Sequence, residues 1–138
     1  MNKVLLSLVL LLSLLLASLS FNALAAEWTE SPTPYSVVCA YTEFSSPDGL
    51  KKVSKPFQLT FLVTDKESSN ALMIGNVGTT KVVLFTAPSR ASFLEITNTG
   101  NLMTTAVDAS MNSVHSRNTI LGDHLVPSQY YGKCEMRI

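Results

Sequence analysis

The feature that most constrains this chain is a pair of cysteines, Cys39 and Cys134, standing near the two ends of its patterned region. Neither lies in a CxxC pair or among histidines, so a thiolate metal site lacks its usual spacing. An even cysteine count in an exported chain argues for one disulfide. Such a bond needs α-carbons within about 7 Å, so the segments that carry the two residues must meet. The loop it closes takes in almost the whole domain, and by the chain-entropy argument contributes roughly 4–5 kcal/mol.

Export is read from the first residues. Met1-Asn2-Lys3 is a short positive start, residues 4–19 are a run of Leu, Val, Ala and Ser, and Ala23-Leu24-Ala25 is a small-x-small cleavage pattern. The run falls short of the ~20 residues of a membrane span, which marks it as a secretory signal peptide. The expectation is a signal peptide over 1–25, cleaved after Ala25 or Ala26, then an extended lead-in over 26–34 and one domain over 35–138. No cysteine stands at the cleavage point to take a lipid. The mature chain is therefore expected to be periplasmic or secreted, without a stable membrane anchor.

Period-two patterning then predicts strands. Tyr35, Val37, Cys39 and Tyr41 alternate with Ser36, Val38, Ala40 and Thr42, and Phe57, Leu59, Phe61 and Val63 alternate with Gln58 and Thr60. Ser45-Ser46-Pro47-Asp48-Gly49 is a turn, with proline presetting φ and glycine free to take positive φ. The basic residues 50–56 read as irregular or as a short edge strand, and Gly75-Asn76-Val77-Gly78 as a break or bulge. Further strand patterns cover 81–86, 91–97, 102–107 and 113–121, and a short helical turn is compatible with 127–131. Strands recur every 8–12 residues or so, which points to an all-β barrel or sandwich. Short connections favour a meander, and the cysteine pair asks its first and last strands to touch. The expected fold is a small antiparallel up-and-down barrel of seven or eight strands, with a β-sandwich as the alternative.

Ten Lys and Arg balance ten Asp and Glu, and no basic run interleaves with aromatics, so nucleic acid is not an expected partner. The chain has no phosphate-cradling glycine loop and no dinucleotide fingerprint, and no cofactor is expected. His115 and His124, with Asp108 and Asp123 nearby, are spaced more widely than paired zinc ligands. Met73, Met103, Met111 and Met136 are dispersed as core fillers are, so no metal site is expected. Ser116 follows His115 directly, and a strand points the two in opposite directions, against the reach that a nucleophile and its base require. A hydrolase using His115 and Ser116 is the least favoured reading, and the protein is expected not to be an enzyme.

One group remains as a candidate recognition patch: His115, Arg117, Gln129, Tyr130 and Tyr131. Arginine and tyrosine dominate interfaces, and His115 and Arg117 share a strand face with Thr119. Arg117 has Glu95 or Asp108 as possible partners on a neighbouring strand. Gln129 to Gly132 also fits a corner in which tyrosine hydroxyls bond backbone and Gly132 allows close strand approach.

Ser116-Arg117-Asn118-Thr119, followed by Leu125-Val126-Pro127-Ser128-Gln129-Tyr130-Tyr131-Gly132-Lys133-Cys134, resembles the ending of a family of small exported bacterial and phage-linked proteins. Asn118 stands where that family carries a histidine. The resemblance spans about the last third of the chain, and implies a secreted β fold with no associated activity. In architecture alone the chain is similar to the periplasmic lysozyme inhibitors, small disulfide-tied barrels, but it lacks their inhibitory loop motif. The expected function is binding, through a barrel face or rim, of a protein or cell-envelope component. One alternative is an apolar-ligand carrier of lipocalin type, with a hollow lined by Phe57, Phe61, Phe85 and Phe93. A second is an inhibitor of a cell-wall hydrolase.

Overall fold

The computed structural model describes residues 33–65 and 67–138. The expected signal peptide and most of the lead-in lie outside them. Eight strands follow one another: β1 (Tyr35–Ser46), β2 (Gly49–Val63), β3 (Asn70–Gly75), β4 (Gly78–Ala87), β5 (Arg90–Ile96), β6 (Leu102–Asp108), β7 (Asn112–Leu121) and β8 (His124–Arg137). Each pairs antiparallel with the next, and β8 returns to pair with β1, which closes the barrel. An up-and-down barrel of eight strands is small enough for side chains to fill its interior.

The structure extends or replaces three of the expectations. Residues 50–56 belong to the fifteen-residue β2. Gly75 and Gly78 are register partners across a tight hairpin turn, so the segment reverses the chain and does not bulge a strand. The stretch 127–131 is extended within β8, because its backbone is taken up by β7 on one side and, from Gln129 onward, by β1 on the other. An irregularity occurs at the β1–β2 pairing, where Val53 to Pro56 of β2 stand against the single residue Thr42 between the Tyr41–Phe57 and Glu43–Lys52 pairs.

Cys39 and Cys134 face each other in register across the β1–β8 seam, with α-carbons 3.9 Å apart and a formed disulfide. The bond therefore ties the first strand to the last. Two positions earlier on β8, Gly132 opposes Tyr41. A Cβ built on Gly132 would lie 2.0 Å from the Ala40 carbonyl oxygen, so only glycine permits this approach.

The barrel is tall on one side and short on the other. β1, β2 and β8 have 12, 15 and 14 residues, while β3, β5 and β6 have 6, 7 and 7. β2 pairs with β3 only over Thr60 to Leu62, leaving Gly49 to Lys52 paired with β1 alone and Val53 to Pro56 without a register partner on either strand. Lys51, Lys52, Lys55 and Pro56 stand on this stretch, the residue types that discourage pairing at an open edge.

Interior filling divides along the barrel axis. The end that holds the start of β1 and the end of β8 is solid: Val37, Val63, Ala91, Val107 and Cys39 are almost wholly buried there. Phe61 and Phe93 stack across it with ring centroids 3.9 Å apart. Full burial of such aliphatic and aromatic side chains stabilises by about 1.5–3 kcal/mol each. The opposite end, where β1–β2, β3–β4, β5–β6 and β7–β8 turn, is open.

Candidate binding cavity at the open end

Four apolar and five polar side chains on the strands shape the open end. A cavity of about 520 Å³ is bounded by Phe57 and Leu59 on β2, Met73 on β3, Met103 on β6, and Thr79 and Thr80 on β4, with the β3–β4 turn as its rim. Glu95, His115 and Arg117 project into the same space. Strand alternation explains their position. Glu95 is two residues beyond the buried Phe93, and Arg117 is two beyond the buried His115, so both inherit the inward direction near the mouth.

The register aligns these groups. Glu95 pairs with Met103, and Met103 with Arg117. Two inter-strand spacings thus separate the charged residues, roughly 10 Å between backbones. Their side chains converge without closing. The ion pairs among the described residues are Lys51–Asp48 and Arg137–Glu135, and neither uses Arg117 or Glu95. Burial pushes the Glu95 carboxyl above its ordinary value, and the Arg117 charge only partly opposes this. Both charges are half-buried, and neither neutralises the other fully.

Beneath them lies a buried polar chain. The His115 ring, almost wholly enclosed, bonds through Nδ1 to Thr105 Oγ1 at 2.8 Å. Tyr41 bonds through its hydroxyl to Ser113 Oγ at 3.0 Å, and Thr105 also acts on that hydroxyl. Burial, and next the Arg117 charge, push the His115 imidazole down to about 4. It is therefore a neutral hydrogen-bonding group at neutral pH. Tyr41, Phe57, His115 and Tyr130 form an aromatic cluster with centroids between 5.1 and 6.5 Å apart. Phe44 stacks on Tyr130 from above.

The structure separates the five residues of the sequence-level patch. His115, Arg117 and Tyr130 lie on the inner side, where His115 and Tyr130 approach to 6.1 Å. Gln129 and Tyr131 face outward. The Tyr131 hydroxyl donates to Gln129 Oε1 at 2.9 Å, and Gln129 Nε2 donates to Ser116 Oγ at 3.3 Å. No corner forms there, since Tyr131 bonds a side chain and the strand continues. Asp108 is not a partner of Arg117. It caps its own turn, accepting from the backbone N–H groups of Ser110 and Asn112 and from Asn112 Nδ2.

The hollow expected from four phenylalanines is not the one present. Phe61 and Phe93 fill the floor, Phe85 is 57% exposed on the outer surface, and only Phe57 reaches the cavity. Glu95, Met73, Met103, Thr80 and Thr105 were not singled out as site residues by pattern alone. Their common signal is an inward position two residues from a core side chain. His124 stands exposed in the β7–β8 hairpin, and among the described residues no three His, Cys, Asp or Glu side chains gather as metal ligands. The rim is apolar as well: Leu50, Val77, Ile96, Leu121 and Leu125 are exposed in or beside the four turns around the mouth. Comparison with family models, curated proteins and solved structures finds no match to this chain.

Proposed function

We propose that this is an exported, non-enzymatic binding protein that takes a small amphipathic molecule into the open end of its barrel. The observation that carries the reading is the contrast between the two ends. One is packed solid by the Phe61–Phe93 stack, and the other holds a cavity of about 520 Å³, within the roughly 300–1,000 Å³ range of small-molecule sites. Its walls offer Phe57, Leu59, Met73 and Met103 to an apolar body, and Arg117, Glu95 and His115 to a polar head. The apolar rim favours entry of such a molecule, since exposed apolar surface around a mouth marks an interaction site. The disulfide fits an oxidising compartment.

Methionine-methyl NMR tests this with an internal control. Met73 and Met103 line the cavity, whereas Met111 and Met136 pack against the solid end. Titration with ten-carbon aliphatic probes is expected to move the Met73 and Met103 signals and leave the other two in place. If no probe moves either cavity methionine, the binding reading is lost.

A further inference from the structure

The cavity reading leaves open what head group the site accepts, and the arrangement of charge answers that more narrowly than cavity shape does. Resting on that reading, we infer that the preferred ligand carries a zwitterionic head, an ammonium beside a carboxylate as in an α-amino acid, joined to an aliphatic chain. Glu95 and Arg117 stand on β5 and β7 with the uncharged Met103 between them in register. They face one cavity and close no ion pair with each other. A ligand bearing one charge satisfies one of these residues and sets the other against a like charge or an empty space. A neutral ligand displaces water from both charges and compensates neither, which is costly for half-buried ionic groups.

A head with both charges removes that conflict. Its carboxylate accepts from the forked guanidinium of Arg117, a geometry that suits bidentate pairing. Its ammonium donates to the Glu95 carboxylate on the other side of Met103. Burial raises the Glu95 carboxyl and the Arg117 charge only partly lowers it, so an ammonium placed beside it would favour its charged form. His115, held neutral below the pair, adds a hydrogen-bonding group without adding charge. The aliphatic chain then lies along Met73, Met103, Leu59 and Phe57, two of them unbranched side chains that adapt to an irregular apolar partner.

Four probes of equal chain length separate the possibilities by isothermal calorimetry on the unmodified protein at pH 7.5: 2-aminodecanoic acid, decanoic acid, decylamine and 1-decanol. The zwitterion is expected to bind at least tenfold more tightly than each of the others. Glu95→Gln is expected to shift the preference to decanoic acid, and Arg117→Gln to shift it to decylamine. Equal or tighter binding of decanoic acid, decylamine or decanol by the unmodified protein overturns the zwitterion inference while leaving the cavity reading intact. Failure of all four to bind overturns both. The comparison on the unmodified protein decides the matter even where a variant folds poorly.

Discussion

Gly132 lies against the backbone of Ala40 so closely that a single added methyl group would sit 2.0 Å from the Ala40 oxygen. The contact falls on the β1–β8 seam, where Tyr41 opposes Gly132 and Cys39 opposes Cys134 two positions on. Backbone, not a flexible side chain, blocks the space, so the strands themselves must move. Gly132→Ala is therefore expected to cost about 3 kcal/mol, at the upper end of ordinary overpacking. Chemical denaturation of the two proteins measures it. A loss below about 0.5 kcal/mol, the size of an ordinary surface substitution, would show that the seam opens at little cost.

The neighbouring disulfide makes a second, separable contribution to the same seam. Intact mass under non-reducing conditions is expected to fall short of the dithiol mass by two hydrogens. Replacing Cys39 and Cys134 together by alanine is expected to cost about 2–5 kcal/mol, the usual range for removing a native disulfide from a small exported domain. Two free thiols in protein purified from an oxidising compartment would mean that closure does not depend on the bond.

Much of this barrel was legible as alternation, and the limits of that legibility are physical. Tyr35 to Tyr41 and Phe57 to Val63 each put one apolar face against one mixed face, and all their inward residues except the half-buried Phe57 are buried, with Val38 the one outward residue also covered. The segment 81–86 is apolar on both parities: Val82 and Leu84 are buried while Phe85 stands 57% exposed. Hydrophobicity alone does not choose its register, and so does not tell the outward Phe85 from the inward Leu84. The five residues of the candidate patch divide between two faces for a related reason. Tyr130 and Tyr131 are consecutive, and one strand must send them to opposite faces. The same rule separated Ser116 from His115, and applied to β8 it also separates Tyr131 from Tyr130. Which end of the barrel stays open depends on how eight strands pack together, and no single strand pattern carries that.

His115 makes stability depend on pH in a defined direction. Its folded value is pushed down to about 4 from 6.5. Arg117 on its own strand, Tyr41 on β1, Phe57 on β2, Thr105 on β6 and Tyr130 on β8 surround the ring, and none is a carboxylate that would stabilise an imidazolium. Glu95 also faces the cavity but is itself pushed upward, so it acts with the opposite sign. Above pH 6.5 the imidazole is neutral folded or unfolded and contributes no slope. Between 6.5 and about 4 the unfolded chain binds a proton that the folded barrel refuses, so stability falls as pH falls. The full loss is on the order of 3 kcal/mol at about 1.4 kcal/mol per pH unit. Denaturation of the unmodified protein and His115→Gln from pH 7.5 to 4 is expected to show a steeper decline in the former. Parallel profiles would show that the ring accepts its proton without opening the core.

The open flank of β2 supplies the last prediction. Gly49 to Lys52 pair with β1 and have no β3 partner, and Val53 to Pro56 have no register partner on either strand. A closed barrel is meant to have no edge, yet the difference in height between its two sides recreates one. Lys51, Lys52 and Lys55 occupy that edge, and a second copy approaching to add a strand must bring its own three lysines close to these. Replacing all three by threonine removes the repulsion and raises β propensity, with an expected change in folding stability within about 1 kcal/mol. The variant is expected to lose monomer to oligomers at concentrations where the unmodified protein stays monomeric, as read by light scattering after size-exclusion chromatography. A variant that remains monomeric would assign protection of the edge to Pro56 and to the register shift at Tyr41, which bend the strand away from a partner.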